Sequence, residues 1–407
     1  MEFFQDPKLI QILSIPITCA FVGWITNWVA VKMIFHPMEF WGIGKLGWKG
    51  IIPNHAVKMS KLISKVLTEK LIRPHELYER VNPDEIVALI QDLVVAKADE
   101  IVRDVIQAEN PTLWKMIPDG IKYNIIEEIK AEIPSQLREV YHSFGKDLDS
   151  VLDLEDIIKT SLSGKNTIYL IEMFQRCGAA EFRFIIVSGL YFGFLIGLVQ
   201  VAFIKFLSAW WTMPIMGVLV GYYTNWLALL MIFRPLEVTS YLGIPYQGLF
   251  LKRQLEVSKE FANVVANRVL NTENLIRLIF LGKGGDLIIQ TVSNKANEAI
   301  QKKLNDKVPL APLLLGADKI KELKEKITDK ILWIIPDVAY RIKDYLYDSL
   351  KIESTIAERL SKLPKAEFEE LLHSVFKEDE MTLIVLGAIL GGLVGLAQAW
   401  MVFDGKF

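Results

Sequence analysis

Cysteine is nearly missing from this chain: 407 residues hold two, Cys19 and Cys177, each beside or within an apolar run. That count rules out a disulfide framework and leaves the redox compartment open. Histidine is almost as scarce. His36, His55, His75, His142 and His373 are the full set. None stands four residues from another and no H-E-x-x-H occurs, so no metal site is expected. A surplus of positive charge is missing too. A net charge of −2 and a pI near 6.3 exclude a nucleic-acid partner bound through a basic surface. The opening Met1 to Asp6 lacks a basic region and a small-residue cleavage site, so the first apolar run is expected to stay in the mature protein.

Catalytic constellations are also wanting. Gly282-Lys283-Gly284-Gly285 lacks the spacing and the Lys-Ser/Thr of a phosphate-cradling loop, and reads as a surface turn. Ser60-Lys61 and Ser258-Lys259 are adjacent pairs, whose side chains point about 100° apart on a helix and cannot act together. Glu39 and Glu237 have no second carboxylate nearby in sequence for acid–base work. The expectation is a protein without catalysis and without a cofactor.

What the chain has is apolar sequence, 52% of it, with a mean hydropathy of +0.29. It gathers in four runs: Leu9–Phe35, Phe184–Phe206, Trp210–Phe233 and Met381–Phe403. Each reaches the roughly 20 apolar residues that a spanning helix needs. Trp210, Trp211 and Trp400 stand near run ends, as in an interfacial belt. The second and fourth runs read as transmembrane helices. The first and third carry Pro16, Pro214 and a central asparagine, which leaves spanning and re-entrant forms both open.

The chain also repeats itself. GWITNWVAVKMIFHPMEF begins at Gly23, and GYYTNWLALLMIFRPLEV follows 198 residues later. The same offset pairs Pro16 with Pro214, Gly50 with Gly248, and Ser60-Lys61 with Ser258-Lys259. It also aligns Gly189, Gly193, Gly197 and Gln200 with Gly387, Gly391, Gly395 and Gln398. The expected fold is therefore an all-α integral membrane protein built as a tandem duplication with parallel repeats. Its segments are membrane segment 1 (1–36), helical insert 1 (37–183), transmembrane helix 2 (184–207), membrane segment 3 (210–234), helical insert 2 (235–380) and transmembrane helix 4 (381–403). Both inserts then share one side, which the distribution of basic residues makes cytoplasmic. Within them, apolar residues recur at helical spacing, and amphipathic helices are expected.

Three groups of residues stand out. Thr26, Asn27 and Trp28, with Thr224, Asn225 and Trp226, put polar groups inside apolar runs. The two asparagines could bond across the pseudo-axis or satisfy freed backbone groups, or the set could form a polar binding site. His36 matches Arg234 and His55 matches Arg253. A metal ligand does not survive exchange for arginine, but a contact to an anionic lipid headgroup does. The glycines at 189, 193, 197, 387, 391 and 395 lie on one face of each helix and read as close helix packing, with a narrow path as the alternative; the two glycine helices could pack on each other across the pseudo-axis.

The paired T-N-W-x-A-x-x-M-I-F-x-P motifs and the G-x-x-x-G-L-x-Q helices resemble the YheB/YjiN family of uncharacterised bacterial membrane proteins. The resemblance implies a bacterial cytoplasmic membrane and no particular reaction. The leading expectation is a non-enzymatic membrane protein that handles or organises lipid or another hydrophobic ligand. The alternatives are a channel or transporter centred on Asn27 and Asn225, and a scaffold for a partner protein. Membrane lipid is the expected partner, with a second copy of the chain or another membrane protein as the remaining class.

Overall fold

A computed structural model describes residues 7–44, 46–109, 115, 118–146, 148, 152–202, 209–241, 243–281, 283–307, 311–373, 377 and 380–402. Nearly all of them are helical, and the only strands among the described residues form two two-stranded hairpins. The chain divides into two compact units.

The first unit comprises Met1–Val66, Lys159–Val265 and Ile356–Phe407. It holds four long apolar helices, Pro7–Phe35, Ala179–Ala202, Thr212–Phe233 and Glu380–Val402. The shortest has 22 residues, about 33 Å at 1.5 Å per residue, against a hydrocarbon core of about 30 Å. The first and third are continuous helices, which favours spanning over re-entrant segments. Pro16 removes one backbone donor without ending its helix, and Pro214 stands in a first turn, where that donor has no helical partner anyway. The second helix begins at Ala179, ahead of the run that starts at Phe184, because Ala179, Ala180 and Glu181 extend the same turn.

The first and second apolar helices pack antiparallel, as do the third and fourth. Cβ atoms on Gly23 and Gly189 would each overlap the other's carbonyl, and Gly193 and Gly197 face Cys19 and Pro16. In the other pair Gly221 faces Gly387, Gly217 faces Gly391, and Gly395 faces Met213 and Pro214. The glycine helices thus pack on the first and third helices, and not on each other across an axis as their shared motif suggested. The reason lies in the partners: Cys19, Gly23, Gly217 and Gly221 are small residues at the same four-residue spacing, which lets backbone meet backbone.

After each of the first and third helices the chain passes a cis proline, at His36-Pro37 and Arg234-Pro235, and enters a hairpin. Trp41–Ile43 pairs antiparallel with Leu46–Trp48, and Thr239–Tyr241 with Ile244–Tyr246. Helices Ile51–Val66 and Gln254–Val264 follow, each ending in a π-helical turn, Leu67–Leu71 and Val265–Val269.

The second unit comprises Leu67–Ile158 and Ala266–Thr355. Here Pro83–Glu109 and Asp119–Lys146 pack with Thr272–Leu281, Lys283–Lys307 and Ala311–Leu350. The two inserts are therefore not two bundles. The parts of both inserts next to the apolar helices in sequence belong to the first unit, and the middle parts of both inserts share one core. Polar ties reinforce the sharing: Arg341 bonds both Asp92 oxygens at 2.7 and 2.8 Å, and Arg80 donates to the Leu350 carbonyl at 2.7 Å. Each insert's helices present an apolar face that its own helices do not cover, and the other insert supplies the cover.

A candidate apolar binding site and two polar helix pairs

The Thr-Asn-Trp residues serve their own helix pairs. Asn27 Nδ2 donates to the Ile185 carbonyl at 2.6 Å, and Asn225 Nδ2 to the Leu383 carbonyl at 2.8 Å. Neither asparagine bonds the other half. In each half, an antiparallel neighbour passes close enough, over glycine, for the amide to reach a carbonyl. Thr26 and Thr224 donate back to Gly23 and Gly221 carbonyls one turn earlier. All four are buried, Asn27 at 0% and Asn225 at 3% exposure, and the two Oδ1 atoms have no hydrogen-bond partner among the described residues. Trp28 and Trp226 point outward, and Lys32 lies 5.0 Å from the Trp28 ring centre. What the motif builds is a helix–helix fastening with its tryptophans turned out.

The glutamines of the glycine helices make the bonds between helix pairs that were one of the readings open to the asparagines. Gln200 accepts the Cys19 thiol at 3.3 Å within its pair and donates to Met213 Sδ in the third helix at 3.3 Å. Gln398 donates to Thr18 Oγ1 of the first helix at 2.9 Å. Their recurrence at the repeat offset was the available signal. It pointed to a role without saying which neighbour each amide meets.

The four basic candidates separate. Arg253 bonds both oxygens of Glu181, at 2.8 and 2.9 Å, and Glu256 at 2.7 Å. Glu181 is 1% exposed and Arg253 30%, so this guanidinium neutralises a buried carboxylate. Its counterpart His55 is half-buried in helix Ile51–Val66. Arg234 stands 3.6 Å from Glu369, and His36 is exposed at the end of the first helix. Glu369 also lies 2.7 Å from His373, whose other ring nitrogen meets Glu380. The Glu380 hydrogen bond holds the His373 imidazole above its ordinary pKa, against a smaller opposing effect of burial and with help from the Glu369 charge. Cys177, in helix Thr167–Cys177, is buried, and that burial pushes its thiol far up. No group of three or more metal-binding side chains occurs among the described residues.

A separate feature lies in the second unit. A cavity of about 260 Å³ runs between its helices. Val87, Ile90 and Val140 line it from one insert; Ile279, Ile288, Val338 and Ile342 line it from the other. The two tyrosines on its wall are spent on backbone. Tyr141 donates to the carbonyls of Tyr78 and Val81, each at 2.9 Å, and Tyr78 donates to the Tyr141 carbonyl at 3.3 Å. Their rings stack with centres 4.7 Å apart. Burial pushes the Tyr141 hydroxyl well up, so it stays neutral. The wall is therefore hydrocarbon, with no ionised group turned into it. Its volume exceeds the about 150 Å³ engineered cavity that holds benzene. It sits just below the about 300–1,000 Å³ typical of drug-sized ligands. Sequence periodicity marked the lining residues as apolar faces, but could not say that those faces leave a gap.

Residues 17–143 match the family described as "Protein of unknown function (DUF445)". A UPF0754 membrane protein of Lysinibacillus sphaericus is 20% identical over 427 aligned residues, covering 98% of this chain and 99% of that one. A Bacillus cereus UPF0754 membrane protein is 20% identical over 94% of this chain and 95% of its own length. For a Staphylococcus carnosus relative the match, 26% identical, spans 39% of this chain and about half, 48%, of that protein. No solved structure matches. These names are not YheB or YjiN, and they carry the resemblance at the level of an uncharacterised bacterial membrane family. With four helices among the described residues long and apolar enough to cross a bilayer, the likeness supports a bacterial membrane protein whose relatives have no established function.

Proposed function

We propose that this protein binds lipid or another hydrophobic ligand at the bacterial cytoplasmic membrane, without catalysis, and holds a single hydrocarbon chain between the helices of its second unit. The observation that carries the reading is the apolar cavity of the second unit. A chain entering it would shed its contact with water and meet only carbon, while a charged headgroup would stay outside.

The architecture proposed around it is a tandem duplication of four spanning helices, with both inserts on the cytoplasmic side. Its support is the recurrence of contacts at one offset: Asn27 to Ile185 and Asn225 to Leu383, and Gly23 on Gly189 and Gly221 on Gly387. His36 and Arg234, both exposed at helix ends, are the proposed headgroup contacts. The channel reading has less behind it, because the amide donors of Asn27 and Asn225 are consumed in helix packing.

The test uses the full chain in nanodiscs. Ile90→Trp with Ile288→Trp fills the cavity, and Val338→Trp does so alone in case the pair fails to fold. Co-purifying lipid is read by native mass spectrometry, and binding by a fluorescent fatty acid. Loss of both signals in a folded, filled variant is the expected result. Unchanged lipid content and probe affinity in that variant would overturn the reading.

A further inference from the structure

We propose that the two β-hairpins are membrane-interface anchors, both seated in the headgroup boundary of one leaflet. Their apolar side chains are turned to solvent: Trp41 is 79% exposed, Ile43 90% and Ile244 69%, with Phe40, Val238 and Tyr241 also exposed. Side chains of this kind, standing free on two-stranded ribbons, need a partner.

Position names the partner. Each hairpin follows directly from the end of an apolar helix, Phe35 or Phe233, and is fastened to that end. Trp48 Nε1 donates to the Met33 carbonyl at 3.2 Å, and Tyr246 Oη to the Met231 carbonyl at 2.5 Å. Gly50 N donates to the Pro37 carbonyl at 2.9 Å, and Gly248 N to the Pro235 carbonyl at 3.0 Å. A Cβ on Gly50 would come within 2.9 Å of His36 N and Phe35 C, and one on Gly248 within 2.9 Å of the Ile232 carbonyl. Only glycine lets the returning chain lie this close to the helix end. The hairpins therefore cannot swing away, and their depth is set by where the apolar helices stop. That level is the boundary where Trp and Tyr, with apolar rings and polar tips, are most stable.

The two hairpins face the same leaflet. Gln200 near the end of the second helix reaches Met213 at the start of the third. Gln398 near the end of the fourth reaches Thr18 in the first. The starts of the first and third helices thus share one end of the group, and their hairpin-bearing ends share the other.

Side-chain identity argues for lipid over a protein partner. At equivalent positions Trp41 answers to Thr239, Gly42 to Ser240 and Ile43 to Tyr241. A fitted protein surface reads identity and shape, whereas a lipid boundary reads hydrophobicity and depth. Depth and apolar character are what the two hairpins have in common. The proposal does not rest on the cavity of the second unit.

The test places a polarity-sensitive fluorophore on Ile43→Cys and Ile244→Cys in phosphatidylcholine vesicles, with the lipid brominated either near the headgroup or near the chain end. The unsubstituted protein is the labelling blank, since Cys19 and Cys177 are buried. Phe21→Cys, on the exposed face of the first helix, gives the depth scale. The expected result is blue-shifted emission at both hairpins, quenched more by shallow bromines, with Phe21→Cys quenched more by deep ones. Water-like emission quenched by aqueous iodide and by neither lipid would overturn the proposal. So would shielding from both lipid and iodide at every lipid-to-protein ratio, which would mean that protein covers the hairpins.

Discussion

Replacing Gly189 by alanine tests whether the antiparallel helix pair is held by backbone contact. The new methyl group would land on the Gly23 carbonyl and within 2.7 Å of Asn27 Nδ2. Backbone cannot yield as a flexible side chain can, so the helices must separate or shift, an overpacking cost of about 1–3 kcal/mol. Leu190→Ala, one residue along on an exposed face, is the control and should change stability by about 0.5 kcal/mol or less. Asn27→Ala should cost less than Gly189→Ala, about 0.6 and at most about 1.7 kcal/mol, as found for hydrogen bonds between membrane helices. The Ile185 carbonyl it abandons still accepts Ser188 Oγ at 2.9 Å. The two changes should be less than additive together, because removing the amide removes one of the two clashes. Relief should be larger for Asn225→Ala with Gly387→Ala, since there the asparagine amide is the nearest obstacle. Unfolding by increasing dodecyl sulfate in mixed micelles, followed by far-UV circular dichroism, reads all seven variants, the singles and double of each pair and the control. If Gly189→Ala and Gly387→Ala match the Leu190→Ala control, the packing account is wrong.

Ile342→Ala, at a buried wall position of the cavity, should destabilise the protein by about 2–5 kcal/mol, measured as a lower thermal midpoint. Arg253→Ala leaves the Glu181 carboxylate buried without its cation. It should cost about 3 kcal/mol, the low end for a stranded charge, because Arg253 is itself 30% exposed. Adding Glu181→Gln should recover part of that loss in the same unfolding titration. The His373 pKa is raised in the folded state, so its contribution is full below the unfolded value of about 6.5 and fades as pH climbs through the higher folded value. The unfolding midpoint should accordingly fall as pH rises from about 6, and the fall should flatten in His373→Gln. Cys177 should resist thiol reagents until the protein is unfolded, since burial keeps its thiol protonated.

Much of the membrane part was legible because its signals are local and periodic. Twenty apolar residues in a row describe a helix in lipid whatever surrounds it. Glycines four apart describe a face on which another helix can lie closely. Which helix lies there is a different kind of fact. Gly189 could have met Gly387 as readily as Gly23 by composition, and only the antiparallel path of the neighbouring chain decided it. Asn27 had the same freedom, and nothing near Arg253 in sequence marked Glu181, 72 residues away, as the carboxylate its guanidinium bonds.

The sequence by itself determined the apolar helices, the paired motifs at one offset, the absence of metal-ligand spacing and the alternation of charged with apolar stretches. The tertiary structure alone decided that the two inserts share a core with a gap in it, and that each hairpin is pinned to a helix end. Those features depend on contacts between residues far apart in the chain, such as Ile90 with the helices of the other insert. A helical period can mark a face as apolar, but only its packed neighbours determine whether that face is filled, left hollow or turned to lipid.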